Sequence, residues 1–284
     1  MITIAIQKSG RLSEKSLTLL QEAGIYLDNG SHKRLLTRAS NFPLQALFLR
    51  DDDIPESVAD GIADIGIVGL NVVEEKGRNV AIVERLGFAR CRLSIAVPRQ
   101  MDYQGRDQLN GLRIATSYPN ILRKFLEKHR INATIHEISG SVEVAPGIGM
   151  SDAIFDIVST GSTLISNGLK EVEKVIDSEA VMIANPELEA EKQRLLDKLR
   201  FRVKAVRKAS QFRYILLNAP NESLAEIVRI LPGMKSPTVM PLATEGWSSV
   251  HSVIHEDEFW EIIEQLKSAG AQGILVVPIE KMIL

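Results

Sequence analysis

The chain has 284 residues, enough for two or three domains, with the 45% hydrophobic and 25% charged content of a soluble globular protein. A net charge of −2 leaves no global basic field for nucleic acid, and no apolar run approaches the length of a membrane span. The lone cysteine, Cys91, excludes an internal disulfide and a thiolate zinc site, and it reads as a small buried hydrophobe.

Ile2 to Ile6 reads as a strand. Before Lys8 it is too short for a secretory apolar segment, so the expected location is the cytoplasm. Leu12 to Ala23 follows as a helix stopped by Gly24. The turn between them, Gln7-Lys8-Ser9-Gly10-Arg11, sets two cations and a glycine at a helix start, which suits an anion or an ordinary charged turn. Ala63 to Gly69 makes another strand–helix corner into Leu70 to Lys76, its glycines serving either close packing or ligand approach.

Leu93 to Val97 opens a second set of alternating elements. Leu112 to Thr116 is a strand, and Pro119 begins a helix that ends near His129 with Ile121, Leu122, Phe125 and Leu126 on one face. Ala133 to Ile138 is a strand, Ser139 to Gly149 is rich in glycine and valine, and Ala153 to Val158 is a further strand. That strand runs into Ser159-Thr160-Gly161-Ser162-Thr163-Leu164. Hydroxyls and backbone N–H groups at a helix start make an anion cradle, and Asp156 just before it is placed to accept hydrogen bonds from sugar hydroxyls. A capped βα turn is the competing reading, because Ser and Thr are ordinary N-caps. Strands alternating with helices imply parallel sheets, whose ligands sit at the carboxyl ends of strands. All three candidate corners lie at such ends.

Ala180 to Ala184 is a strand, and Leu188, Leu195, Leu199, Val203 and Val206 mark one stripe of a long helix. Arg200, Arg202, Lys204, Arg207, Lys208 and Arg213 near its end read as a solvated basic face. The pattern then changes. Arg213 to Ala219 is a strand, and Leu224, Ile227, Val228 and Leu231 define a helix halted by Pro232-Gly233. Strands at Pro237 to Ala243 and Trp247 to His255 follow. Phe259, Ile262, Ile263 and Leu266 define a helix closed by Gly270, and Gly273 to Ile279 is the last strand. The order β-α-β-β-α-β is that of a ferredoxin-like unit.

Assembled in order, several of these segments resemble the long-form ATP phosphoribosyltransferases nearly end to end. The resemblance rests on Gln7 to Leu12, Leu49-Arg50-Asp51-Asp52-Asp53-Ile54-Pro55, Arg113 to Pro119, Gly140 to Pro146, Asp156 to Thr163 and Pro278 to Met282. It implies an α/β catalytic unit similar to two-lobed periplasmic-binding domains, plus a C-terminal ferredoxin-like (ACT-like) α+β domain. By analogy residues 1–90 with 178–206 form lobe I, 91–177 form lobe II, and 209–284 form the regulatory domain. The implied reaction joins ATP to 5-phosphoribosyl 1-diphosphate with release of diphosphate, opening histidine biosynthesis, with histidine as inhibitor. It further implies Mg²⁺ as cofactor and a homo-oligomer of dimers assembling into hexamers, with no nucleic-acid or membrane partner.

Residue by residue, the resemblance gives Thr160, Gly161, Ser162 and Thr163 to the 5-phosphate, Ser159 to substrate binding beside them, and Asp156 to the ribose hydroxyls, with Glu143 as helper. Lys8, Gly10, Arg11 and Arg50 fall to polyphosphate, Tyr118 to the nucleotide, and Thr238 and Gly273 to histidine. No protein residue is assigned as a metal ligand, although Asp51 to Asp53 either touch metal or supply favourable charge to a helix start. Phosphoribosyltransferases of the commonest fold carry two acids before the T-G loop, whereas Ile157 follows Asp156 here, as in this family.

His32, His129, His136, His251 and His255 show no metal-ligand spacing, and Trp260 reads as packing or an interface. Two rival classes share the two lobes. Prephenate dehydratase carries a Thr-Arg-Phe hallmark, but here Ala39 follows Thr37-Arg38, and a solute-binding protein needs a leader or lipid anchor.

Overall fold

The computed structural model describes residues 1–28 and 35–283, so His32 lies outside the described residues. Met1–Gln21 with Ile25–Leu196 form one compact unit, and Glu22–Gly24 with Asp197–Leu284 form another.

The first unit holds two sheets. One contains β1 (Ile2–Gln7), β2 (Leu36–Arg38), β3 (Leu44–Leu49), β4 (Ile65–Gly69), β5 (Ala81–Arg85) and β11 (Ala180–Ala184), in the order β2-β3-β1-β4-β11-β5. β1 pairs parallel with both β3 and β4, so their carboxyl ends share one edge. Helix α1 (Arg11–Glu22) leaves that edge after β1, and α3 (Leu70–Lys76) leaves it after β4. Between them, Asp51–Asp53 form a 3₁₀ turn into α2 (Ile54–Ala59), with Pro55 in its first turn, where no N–H is needed. Continuous burial along β4 reflects covering on both faces, and Ile54, Val58, Val68, Val72, Val73, Val181 and Ile183 share one core.

The second sheet comprises β6 (Cys91–Pro98), β7 (Arg113–Thr116), β8 (Thr134–Glu137), β9 (Ala153–Val158) and β10 (Leu169–Ser178), in the order β10-β6-β9-β7-β8. β7 pairs parallel with β8 and β9, while β6 runs antiparallel to β9 and β10. Leu93, Ile95, Val97, Ile114 and Phe155 pack with Ile121, Leu122, Phe125 and Leu126 of α4 (Pro119–His129). On a second core, Ala96, Ala115 and Ile154 meet Val142, Ala145 and Leu164, the last from α5 (Ser162–Ser166). His129 ends α4 with its ring 4.6 Å from that of Phe125.

The sequence pattern missed β10 altogether. Lys170, Glu171, Glu173, Lys174 and Asp177 crowd this strand, and two register shifts against β6 interrupt the period-2 alternation by which strands are read.

In the second unit, β12 (Phe212–Pro220), α7 (Leu224–Ile230), β13 (Thr238–Pro241), β14 (Trp247–His255), α8 (Phe259–Ser268) and β15 (Gln272–Pro278) reproduce the expected β-α-β-β-α-β order. The sheet is antiparallel in the order β13-β14-β12-β15, the ferredoxin-like arrangement. Ile215, Leu217, Ala219 and Val250 bury one face against Ile227 and Leu266 of the helices. β13 is shorter than the expected Pro237–Ala243. Helix α6 (Ala190–Ala209) begins after Leu188 and buries Leu196 rather than Leu195, with Leu199, Val203 and Val206. Adjacent leucines at 195 and 196 allow either phase, and the 3-4-3 spacing of 196, 199, 203 and 206 decides it. The basic face is partly engaged, with Arg213 2.6 Å from Glu256 and Lys208 4.8 Å above the Phe212 ring. Trp260 is exposed and meets Phe259 edge-on.

Candidate active site

β9 delivers its acid and its loop together. Phe155 is fully buried and Val158 nearly so, which anchors the strand and fixes Asp156 between them at the sheet's carboxyl edge. The chain then turns through exposed Ser159 and Thr160 to Gly161, whose φ of +81° lies in the left-handed region that glycine adopts without steric cost. Burial of Leu164 pins the far side of the turn, a contribution of about 1.5–3 kcal/mol for a leucine. Thr160 and Ser162 hydroxyls lie 3.0 Å apart, and the Ser162 N–H points to Thr160 Oγ1 at 3.5 Å. Two hydroxyls and the Ser162 N–H are thus gathered at the head of α5.

The glycine- and valine-rich segment supplies the second acid. Gly140 and Ser141 both take positive φ, 78° and 51°, and lead into a 3₁₀ turn over Val142–Val144. Val142 and Ala145 are buried, which holds Glu143 in place beside Asp156. Burial pushes the Asp156 carboxyl above its ordinary range, the Ile157 N–H at 2.7 Å pulls it back, and the Glu143 charge pushes it up again.

Tyr118 caps the space from the adjacent strand. Thr116 pairs with Phe155, so the ends of β7 and β9 are neighbours, and Tyr118 follows Thr116 by two residues. Its phenol is held well above the usual range, first by burial and then by Asp156, with lesser effects from Asp51 and Asp52. Those acids come from both sheets, which places the phenol where the two carboxyl edges face each other. Asn71 Nδ2 opposes the shift by donating to Tyr118 Oη at 3.2 Å.

On the first sheet, Lys8 N donates to the Leu49 carbonyl at 2.7 Å, putting exposed Lys8 beside exposed Arg50 at adjacent strand ends. Gly10, at φ +95°, turns the chain so that Arg11 starts α1. The corner after β4 is different. A Cβ on Gly66 would meet Ile54 Cγ2 at 2.6 Å, and one on Gly69 would meet Asn71 Oδ1 at 2.4 Å, so these glycines serve close packing. Thr238 and Gly273 lie in the other unit, on its opposite edge strands. Sequence reading passed over Asn71, Glu75 and Arg92, which touch these elements. Among the described residues no group of three or more His, Cys, Asp or Glu side chains is arranged to hold a metal ion, and no helix is long and apolar enough to cross a membrane.

Residues 50–205 match the family described as ATP phosphoribosyltransferase, and residues 209–281 match its C-terminal domain. An ATP phosphoribosyltransferase of Cytophaga hutchinsonii is 59% identical over 283 residues, covering 100% of this chain and 99% of that protein. One from Phocaeicola vulgatus is 57% identical over 284 residues, covering all of both. Among solved structures, the ATP phosphoribosyl transferase (HisG:HisZ) complex from Thermotoga maritima matches at a TM-score of 0.62 and 28% identity, covering 72% of this chain and 99% of that one. A substrate-binding protein of an amino acid ABC transporter matches at a TM-score of 0.50 and 11% identity, over 73% of this chain and 93% of its own, which speaks to the fold alone. The two-sheet unit is thus periplasmic-binding-protein-like, and the chain belongs to the ATP phosphoribosyltransferase family, whose reaction is the first step of histidine biosynthesis.

Proposed function

We propose that this chain condenses ATP with 5-phosphoribosyl 1-diphosphate at the edge where Asp156, Glu143, Tyr118 and the Ser159–Thr163 loop meet. The observation that carries the assignment is the continuity of Asp156 with a loop whose Thr160 and Ser162 hydroxyls pair around Gly161. The loop receives the 5-phosphate, and Asp156 accepts hydrogen bonds from the ribose hydroxyls. Adenine N1 attacks the anomeric carbon, a C–N bond forms, and the C–O bond to diphosphate breaks. Positive charge develops on the sugar ring, where Asp156 and Glu143 stabilise it; negative charge develops on the leaving group, which Lys8, Arg11 and Arg50 receive beside Gly10. Free N1 carries no proton at neutral pH, so no general base is needed. Tyr118 faces the nucleotide.

Mg²⁺ fits this donor set only as substrate-borne metal: magnesium takes one or two carboxylates beside phosphate oxygens, and Asp51 to Asp53 and the Asp156–Glu143 pair offer that and no cage. When bound, it neutralises the diphosphate. Residues 1–90 with 178–206 act as lobe I, 91–177 as lobe II, and 209–284 as a domain that binds histidine. Thr238 sits on one edge strand and Gly273 on the other, about 14 Å apart across three strand spacings. One amino acid does not span that gap within a single sheet, which favours a site completed by a second copy and agrees with dimers assembling into hexamers in the cytoplasm.

The test is Gly161→Val assayed with both substrates. A Cβ there meets only Val158 Cγ1, at 4.0 Å, so the fold tolerates the change apart from backbone strain of about 1–2 kcal/mol. The Michaelis constant for 5-phosphoribosyl 1-diphosphate should rise more than tenfold. Near-normal kinetics in the folded variant would remove the loop from the site.

A further inference from the structure

Helix α3 buries two polar side chains one turn apart, Asn71 and Glu75, in a run otherwise made of Leu70, Val72 and Val73. Both bind partners across the gap between the sheets. Glu75 Oε1 and Oε2 accept from the N–H groups of Asn120 and Ile121, each at 2.9 Å, while Asn120 Nδ2 donates to the Glu75 carbonyl at 3.0 Å. The start of α4, with Tyr118 as its N-cap residue, is therefore fastened to α3.

Asn71 is fastened from the opposite side. Ser178 Oγ accepts from the Asn71 N–H at 3.0 Å and donates its own proton to Asn71 Oδ1 at 2.9 Å. In this orientation the carboxamide oxygen takes the Ser178 proton and Nδ2 faces Tyr118. Nδ2 has no lone pair to offer. Tyr118 Oη is therefore the acceptor in their 3.2 Å bond, and the phenol proton remains available to donate elsewhere. The space for this amide is kept by Gly69, where a Cβ would overlap Asn71 Oδ1.

We propose that Asn71, oriented by Ser178, is a positioning residue for the transferase reaction: it holds the Tyr118 hydroxyl as a hydrogen-bond donor toward an acceptor atom of the nucleotide substrate. The proposal rests on the reading of Tyr118 as facing the nucleotide. It gives a function to a buried amide that packing alone does not explain, since an apolar residue at 71 would continue the Leu70, Val72, Val73 run at no desolvation cost.

A double-mutant cycle of Asn71→Ala and Tyr118→Phe, measured for both substrates, tests it. Each single variant should raise the Michaelis constant for ATP by about fivefold or more, the size of one lost hydrogen bond, and leave that for 5-phosphoribosyl 1-diphosphate within about twofold. The double variant should be no worse than Tyr118→Phe. Ser178→Ala, which loosens the amide without removing it, should give a smaller rise for ATP and serves where Asn71→Ala fails to fold. If Tyr118→Phe is silent toward ATP, the nucleotide reading of Tyr118 falls and takes this proposal with it. If Tyr118→Phe is impaired but Asn71→Ala and Ser178→Ala are silent, or the effects simply add, Tyr118 keeps its role and the positioning claim is overturned.

Discussion

Arg92 and Ser159 are joined across the base of the phosphate loop: the Arg92 guanidinium donates to the Ser159 carbonyl at 3.2 Å. The same guanidinium forks onto Glu171, Nε at 2.6 Å and NH2 at 2.5 Å, and Ser94 Oγ donates to that carboxylate at 2.7 Å. In a trans peptide the N–H points opposite to the C=O, so a Ser159 carbonyl tied to Arg92 turns the Thr160 N–H the other way, which is where an anion would take it. Arg92→Leu removes the tie from one end of the loop only. It is expected to raise the Michaelis constant for 5-phosphoribosyl 1-diphosphate about fivefold to thirtyfold, for a loss of about 1–2 kcal/mol, with ATP little affected. Equal effects on both substrates would assign Arg92 to the sheet rather than to the loop.

Asp156 carries charge where burial disfavours it, and function and stability should part company there. Asp156→Asn keeps the shape, removes the charge and weakens the bonds to ribose. Turnover should fall about tenfold to a hundredfold, equivalent to about 1.5–3 kcal/mol. Thermal stability at pH 7 should be unchanged or higher. The folded pKa is raised, so the wild type is at no disadvantage below the unfolded value and loses stability relative to the amide as pH rises through the folded one. Melting curves of both proteins between pH 4 and pH 8 should diverge in that direction, and a variant that melts lower at neutral pH would contradict it.

Asp152 behaves in the opposite sense. It accepts from the Arg113 N–H at 2.9 Å and from the guanidinium at 3.0 and 2.8 Å, which holds it down to about 2. Its stabilisation is present above the unfolded carboxylate range and is lost as pH falls from about 4 toward 2. The pair is more than a third exposed, so solvent screening keeps its contribution small. Asp152→Asn should melt slightly below wild type at pH 7, with the difference closing in acid; a gap that persists at pH 2.5 would implicate packing instead.

Histidine should slow the wild-type enzyme, and Thr238→Trp should leave catalysis intact while abolishing that inhibition. Thr238 is exposed on an edge strand, so the indole is accommodated without disturbing the core. Calorimetry with millimolar histidine checks the binding directly. Neither inhibition nor heat in the wild type would leave the second unit as an assembly module.

Much of this architecture could be read from residues because the local signals agreed. Gly24 and Gly270 stop α1 and α8, Pro119 starts α4, and clean alternation marks β14. The loop around Gly161 was legible because an apolar strand ends abruptly in hydroxyls. Arg92, Asn71 and Glu75 were not, since each owes its significance to a partner distant in sequence: Glu171, Tyr118 with Ser178, and the N–H groups of α4. The one visible hint is chemical, an amide and a carboxylate at i and i+4 on a short helix that also carries Leu70, Val72 and Val73. The resemblance pairs Thr238 with Gly273, yet only the strand order shows that β14 and β12 lie between them.

The second sheet is an uninterrupted excursion of the chain. Its first and last residues, Cys91 and Ser178, are register partners across β6 and β10, whereas the first sheet must wait for β11 to slot between β4 and β5. During synthesis, residues 1–90 therefore emerge with β4 and β5 still unbridged, exposing the edge of β4 until residue 184 has left the ribosome. The second sheet can close on itself before that happens, because none of its pairings reaches outside its own segment. The half of the catalytic unit that is made first is the half completed last, and its open edge during that interval is where aggregation or chaperone capture should begin.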